Sequence, residues 1–176
     1  VERSLLAKKI QKLSRLNGNF VLRSGKRTNL YFDKYRFESS PKVLRAVTEH
    51  LYKLIPKGTE VLAGLELGGI PIAVDLSQIT GLPTVFVRKE PKTYGTSKLA
   101  EGAEINGKTV LIIEDIITTG GQVVSSVKSL RELGAIIDSV LCVVDRKDGY
   151  KGNLEEADLK IISLFTSDDL EPISKT

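Results

Sequence analysis

The sequence predicts an α/β fold, a mainly parallel central sheet flanked by helices, with smaller amino-terminal segments outside that pattern. Three observations carry this. From residue 61 onward, short apolar runs rich in Val, Ile and Leu alternate with amphipathic stretches, the pattern of strands joined by crossover helices. The runs lack polar alternation, as expected for strands covered on both faces. Turn residues close the helical stretches that precede these runs, with Asn17-Gly18 after the first and Pro56 and Gly58 after the second.

The elements follow in order. Ser4 is placed to cap a helix that carries Leu5, Leu6, Ile10, Leu13 and Leu16 on one face and stops at Asn17-Gly18. Two short strand-like pieces, 20–22 and 30–33, flank a basic Ser24-Gly25 turn. Ser40-Pro41 opens a second amphipathic helix that ends near Leu54, before Pro56 and Gly58. The remaining strands are expected at 61–64, 84–87, 109–113, 137–144 and 159–164. The clearer intervening helices are expected at about 70–80 and 122–133.

With 176 residues and 41% hydrophobic composition, the chain can bury one core and is read as one domain over 1–176. Its parts are an amino-terminal region of about 1–40, an α/β core of about 41–165, and a long polar insertion at 88–104. No apolar run approaches membrane-spanning length and no charged-then-apolar leader is visible, which predicts a soluble cytoplasmic protein. One cysteine, Cys142, excludes an intrachain disulfide and a multi-cysteine metal site, and its apolar neighbours predict a buried core residue. One histidine, His50, removes histidine pairs for zinc and is read as structural or solvent-facing. The formal charge of +4 is modest, but cations gather in two loops, 23–27 and 88–98. Aromatic residues are sparse at 6%, and no nucleic-acid module is present, so small anionic ligands explain the basic loops better than nucleic acid does.

The connection between the strands near 87 and 109 far exceeds the usual length of about four to six residues. Such a loop is either a lid or a solvated surface excursion. Arg88, Lys89, Lys92 and Lys98, with Gly95 and Gly102 as pivots, suit a lid that closes on a polyanion.

The densest chemistry lies in VLIIEDIITTGGQ, residues 110–122. An apolar strand is expected to deliver Glu114 and Asp115 at its carboxyl end, where open α/β sheets bind ligands. Two adjacent acceptors suit the paired hydroxyls of a ribose. Thr118, Thr119, Gly120 and Gly121 offer hydroxyls and unobstructed N–H groups, and Gln122 begins a helix whose positive end favours a phosphate. The plainer alternative is that Asp115 and the threonines only cap a helix. Neither a Walker A pattern nor a GxGxxG fingerprint is present.

This stretch resembles the ribosyl-pyrophosphate signature of the type I phosphoribosyltransferases. Three further segments narrow the resemblance to the orotate phosphoribosyltransferase family: FVLRSGKRTNLYFD (20–33), VRKEPKTYGTSKLAEG (87–102) and VVDRKDG (143–149). The resemblance implies the type I fold, in which the amino-terminal segments form a hood over the site. It implies a homodimer that shares lid residues across its interface. It also implies transfer of a phosphoribosyl group from phosphoribosyl pyrophosphate to orotate, with Mg²⁺ held mainly by substrate oxygens and water rather than by a protein cage.

By the same resemblance, Lys92 and Asp115 are the catalytic residues. Arg88, Lys89, Lys92, Tyr94, Glu114, Asp115, Ile116, Ile117, Thr118, Thr119, Gly120, Gly121 and Gln122 form the phosphoribosyl pyrophosphate site. Glu66, Leu67, Gly68 and Gly69 form the pyrophosphate loop, and Arg23, Tyr31, Phe32, Thr118 and Arg146 the orotate side. Read without it, Gly68-Gly69 is a tight turn, Tyr31 and Phe32 are core strand residues, and Arg146 pairs with Asp145 or Asp148. Three positions depart from common members: Arg23 stands for lysine, Tyr94 for histidine, and Gly68 for a phosphate-binding lysine. A purine salvage enzyme and a non-catalytic sensor of phosphoribosyl pyrophosphate are the competing readings. Arg146 argues against the first and the lid cations against the second.

Overall fold

The computed structural model describes residues 1–22, 25–90, 99–146 and 153–170. Its centre is a six-stranded sheet ordered β5-β4-β3-β6-β7-β8. The strands are β3 (Val61–Leu65), β4 (Thr84–Val87), β5 (Ala100–Gly102), β6 (Val110–Ile117), β7 (Ser139–Asp145) and β8 (Lys160–Thr166). All neighbours are parallel except the short edge strand β5, which returns antiparallel to β4. The expected mainly parallel sheet is therefore present, with one antiparallel edge that a three-residue strand did not announce.

Period-two alternation sorts the sheet residues onto two faces. Leu62, Leu111, Ile113, Leu141 and Val143 share one cluster with α1 (Arg3–Ser14), α3 (Pro41–Tyr52) and α4 (Gly69–Thr80). Val61, Ala63, Val110, Ile112, Val140 and Cys142 share the other with α5 (Gly121–Glu132) and the one-turn α6 (Asn153–Glu156). Cys142 is fully buried, and burial pushes its thiol well above the usual range, as befits an inert core residue. His50 is half-buried, and its Nε2 hydrogen-bonds the Val1 carbonyl at 2.8 Å.

The amino-terminal region departs from expectation. The first helix ends at Ser14, and Leu16 and Asn17-Gly18 lie in β1 (Arg15–Val21), which pairs antiparallel with β2 (Arg27–Phe32) in a separate two-stranded sheet. Leu16 fits the helical spacing, but it sits opposite Tyr31, and a register shift between Asn17 and Phe20 absorbs the irregular stretch around Gly18. The α1 helix itself belongs to the main core, with Leu6 and Ile10 fully buried. Arg3 ties it to the end of β8 through a two-pronged pair with Asp169, at 2.9 and 2.8 Å, and a bond to the Leu164 carbonyl. Ser4 does not cap α1; its hydroxyl donates to Glu2, the residue at the cap position. Between the hairpin and α3 lies α2 (Tyr35–Glu38), too short to have left a periodic signal. The α3 helix starts at Pro41, as Ser40-Pro41 predicts.

Candidate active site

Because β3, β4, β6, β7 and β8 run parallel, their carboxyl ends share one edge of the sheet. That edge gathers the loop Glu66, Leu67, Gly68 and Gly69 after β3, Arg88 and Lys89 after β4, the Thr118 to Gly121 turn after β6, and Arg146 after β7. Ligands of open α/β sheets bind at such an edge.

The turn after β6 is built for close approach. Gly120 has φ +73°, and a Cβ there would lie 2.8 Å from the Leu154 side chain, so both its conformation and its packing require glycine. It leads into α5, which starts at Gly121, one residue earlier than expected. Thr118 and Thr119 are exposed just before the helix N-terminus, while the Gln122 side chain turns back to Ser126 at 3.2 Å. Exposed hydroxyls beside a helix N-terminus are an arrangement that can receive an anion.

The carboxylates are less simply placed than the sequence suggests. The strand does not end at Ile113 but continues through Ile117, so Glu114 and Asp115 lie inside β6 and are buried, at 7% and 0% exposure. Adjacent strand residues point to opposite faces. Asp115 shares the parity of Leu111 and Ile113 and faces the layer of α1, α3 and α4; Glu114 shares that of Ile112. Ile116 is half-buried and Ile117 buried, so both contribute chiefly backbone. Ile116 packs with the cluster of Leu111 and Ile113, and Ile117 lies in that of Ile112, so the alternation set by residues 110–113 does not carry through to the end of the strand.

Asp115 is held from several directions. Its Oδ1 accepts the Ile116 N–H, and its Oδ2 lies 2.6 Å from the Lys34 ammonium. Lys34 directly precedes α2, and Glu38, one turn later, is also buried beside Asp115. Burial would lower the Lys34 pKa, but the Asp115 carboxylate outweighs it and raises the ammonium above its usual value. Burial, then the Asp115 charge, push Glu38 up to about 8, and the same two causes raise Glu114 well above the ordinary carboxyl range. Neither Lys34 nor Glu38 stands out in the sequence. Their signal is a Lys/Glu pair four residues apart beside a predicted hood strand.

Glu38 gives a stability prediction. Its carboxyl holds a proton in the folded protein at pH values where the unfolded chain, at its ordinary 4.5, has released it. The native state therefore binds more protons between about 4.5 and 8, and stability falls as pH rises through that window. Glu38→Gln removes the titration. Its stability relative to the parent should rise from pH 5 to pH 8, measured as the difference in urea midpoints at the two pH values.

The loop after β3 lies hard against β6. A Cβ at Gly68 would fall 1.6 Å from Asp115 Oδ2, and one at Gly69 would fall 2.2 Å from the Ile113 carbonyl oxygen. A side chain at either position is excluded as the loop stands. Glu66 reaches the other way, accepting the Lys89 N–H at 2.6 Å, and the Glu66-Leu67 peptide is cis. Arg88 and Lys89 are exposed. The backbone of Arg146 is pinned on both sides, its N–H donating to Ile117 at 3.0 Å and its carbonyl accepting the Ser167 hydroxyl at 3.0 Å, with the residue half-exposed. Tyr31 is 43% exposed and stacks obliquely with Phe20, ring centroids 5.4 Å apart, whereas Phe32 packs against the main core. Tyr31 is thus not the core residue that β-propensity alone suggests. Arg23, Lys92 and Tyr94 lie outside the described residues.

Comparison with known proteins agrees with this architecture. The phosphoribosyl transferase domain family matches residues 35–166. Among curated proteins, the chain is 45% identical over 166 residues to an orotate phosphoribosyltransferase of a Nocardioides species, covering 94% of this chain and 93% of that one. It is 43% identical over 153 residues to one from Methanocella arvoryzae, covering 87% of each. Among solved structures, the Mycobacterium tuberculosis orotate phosphoribosyltransferase in complex with 5-phospho-α-D-ribosyl 1-diphosphate superposes with a TM-score of 0.82 at 28% identity, over 97% of this chain and 99% of that one.

Proposed function

Since this chain belongs to the phosphoribosyl transferase family, as an orotate phosphoribosyltransferase of pyrimidine biosynthesis, we propose how its own residues divide the work. The reaction breaks the bond from the ribose anomeric carbon to pyrophosphate while a pyrimidine nitrogen of orotate attacks that carbon. Orotidine 5′-phosphate and pyrophosphate are the products. Positive charge builds on the sugar and negative charge on the departing diphosphate, so groups placed to meet those charges lower the barrier.

The turn from Thr118 to Gly121, opening α5, takes the 5-phosphate; its exposed hydroxyls and helix N-terminus are the observation that carries this reading. Glu114 and Asp115 accept the ribose hydroxyls and place negative potential near the developing cation. The backbone of Glu66, Leu67, Gly68 and Gly69 faces the diphosphate, and glycine at 68 and 69 lets that loop lie directly against the end of β6. Arg88, Lys89 and Lys92 carry the countercharge for the leaving group, with Tyr94 beside them and lid residues shared with the partner subunit of a homodimer. Mg²⁺ enters with the diphosphate as part of the substrate. It is a hard ion that keeps much of its water, so phosphate and ribose oxygens can supply most of its ligands. The Glu114 and Asp115 pair fits such an ion only as a source of negative potential, since both Asp115 oxygens already have partners. The enzyme acts in the cytoplasm on dissolved anions.

On the pyrimidine side, Arg146 takes the orotate carboxylate with its planar fork, and Arg23, Tyr31, Phe32 and Thr118 line the ring. The test is to follow orotate absorbance with phosphoribosyl pyrophosphate and Mg²⁺, running uracil and hypoxanthine in parallel. Orotate alone should be consumed. Arg146→Ala should raise the orotate KM about tenfold or more, the cost of losing a charged hydrogen-bonded partner, with little change in the KM for phosphoribosyl pyrophosphate. Consumption of hypoxanthine would overturn the pyrimidine assignment, and an unchanged orotate KM would remove Arg146 from the site.

A further inference from the structure

The geometry points to Lys34 and Glu38 as positioning residues, which hold the Asp115 carboxylate in place for the ribose so that the hood helix α2 helps set affinity for phosphoribosyl pyrophosphate. This rests on the assignment of Asp115 to the ribose hydroxyls.

Asp115 has no exposed surface, yet it sits where a ligand is expected. A buried carboxylate without a counter-ion is costly, and the usual escape is to take up a proton or to turn away. Lys34 supplies the counter-ion at 2.6 Å, with about a third of its own side chain exposed toward solvent. The loop cannot do so: residues 66–69 contain no cation, and Gly68 meets the same oxygen, Asp115 Oδ2, with its bare backbone. The cation at this spot therefore comes from the hood. One ion pair joins β6, the loop before α4 and α2.

Glu38 completes the arrangement. It lies one turn from Lys34 on the same side of α2, is 6% exposed, and its carboxyl hydrogen-bonds that of Asp115. The groups that face it are Asp33 and Lys34 from its own segment and Asp115 from β6, with Glu114 next along that strand. The buried residues of α1 and α3, which pack on α2, are uncharged, and Glu66 of the neighbouring loop is turned to the Lys89 amide. Lys34 thus faces several carboxyls at once, and they cannot all be ionised at close range. While Glu38 keeps its proton, Lys34 is left to Asp115. Once Glu38 ionises, above about pH 8, it competes for the ammonium and adds negative charge beside a polyanionic substrate.

The test uses initial rates with phosphoribosyl pyrophosphate and Mg²⁺ varied at saturating orotate, from about pH 6.5 to 9.5, which brackets the Glu38 titration. Lys34→Ala should raise the KM for phosphoribosyl pyrophosphate about ten- to a hundredfold, the weight of a charged hydrogen bond, with a much smaller change in kcat and in the orotate KM. Lys34→Arg should recover most of it. In the parent, that KM should climb as pH passes about 8, and Glu38→Gln should flatten the climb. An unchanged KM in Lys34→Ala overturns the proposal, as does a lowered one, which would mean that Lys34 competes with the ribose for Asp115. If the alanine variant loses its circular dichroism, the pH profiles of Lys34→Arg and Glu38→Gln decide, and an undiminished climb in Glu38→Gln is then the overturning result. Asp115→Asn separates the two levels: a normal KM there means that the ribose assignment itself has failed.

Discussion

Gly69→Ala should cost about 3 kcal/mol of folding stability and abolish binding of phosphoribosyl pyrophosphate. The new methyl group would fall 2.2 Å from the carbonyl oxygen of Ile113. That oxygen belongs to the central strand, whose residues pair with β3 on one side and β7 on the other, so it cannot retreat without breaking the sheet. Nor can the loop back away freely, because Gly64 already lies close beneath Gly69: a Cβ at Gly64 would be 2.9 Å from the Gly69 carbonyl. The clash is backbone against backbone, with no flexible side chain to yield. Gly81→Ala is the informative comparison. Gly81 has φ +75° but nothing within 4 Å of its would-be Cβ, so only the left-handed conformation is penalised, by about 1–2 kcal/mol. Urea denaturation should therefore show a much larger loss for Gly69→Ala than for Gly81→Ala, and only the former should abolish ligand binding by calorimetry. Equal losses would mean that the loop after β3 relaxes more easily than its contacts indicate.

Lys92→Ala should lower kcat by about a hundred- to a thousandfold, the weight of one preorganised group at a charge that develops only in the transition state. The resemblance places Lys92 at the reacting diphosphate, and a cation there matters more as the bond breaks than when the substrate first binds. Affinity for phosphoribosyl pyrophosphate should consequently change far less than turnover. Lys92→Arg should recover only part of the rate, because a guanidinium presents a planar fork where a compact ammonium is needed. Rates combined with equilibrium binding decide the matter. Equal losses in both would make Lys92 a ground-state ligand, and unchanged turnover would remove it from the chemistry.

Much of this fold is legible in the sequence where burial is two-sided. The segment 84–87 coincides with β4, and the expected helices at 70–80 and 122–133 differ from α4 and α5 by about a residue, because continuous apolar runs and amphipathic stretches obey a single rule. Legibility fails where polar residues are buried or apolar ones exposed. β6 runs on to Ile117 although it carries Glu114 and Asp115, because Lys34, from a distant segment, supplies the counter-ion that makes Asp115 tolerable inside a strand. β1 is mostly exposed on both faces, so it has no alternation to read, and Leu16 was claimed by the helical repeat instead. The turn from Thr118 to Gly121 is visible because its residue types are local. The ion pair behind it is not, because α2 is a single turn and its partner lies far along the chain.

The antiparallel edge strand has a consequence for how this enzyme can vary. Where the long insertion leaves and rejoins the sheet, Arg88 N–H donates to the Leu99 carbonyl at 2.9 Å, and β5 is zipped along β4 just beyond. The two ends of the insertion are thus tied to each other before anything between them is specified. For a segment closed in this way, doubling the number of residues costs only about 0.6 kcal/mol of closure entropy. Length and composition between those ends can drift, or be redesigned, without disturbing strand register or the core.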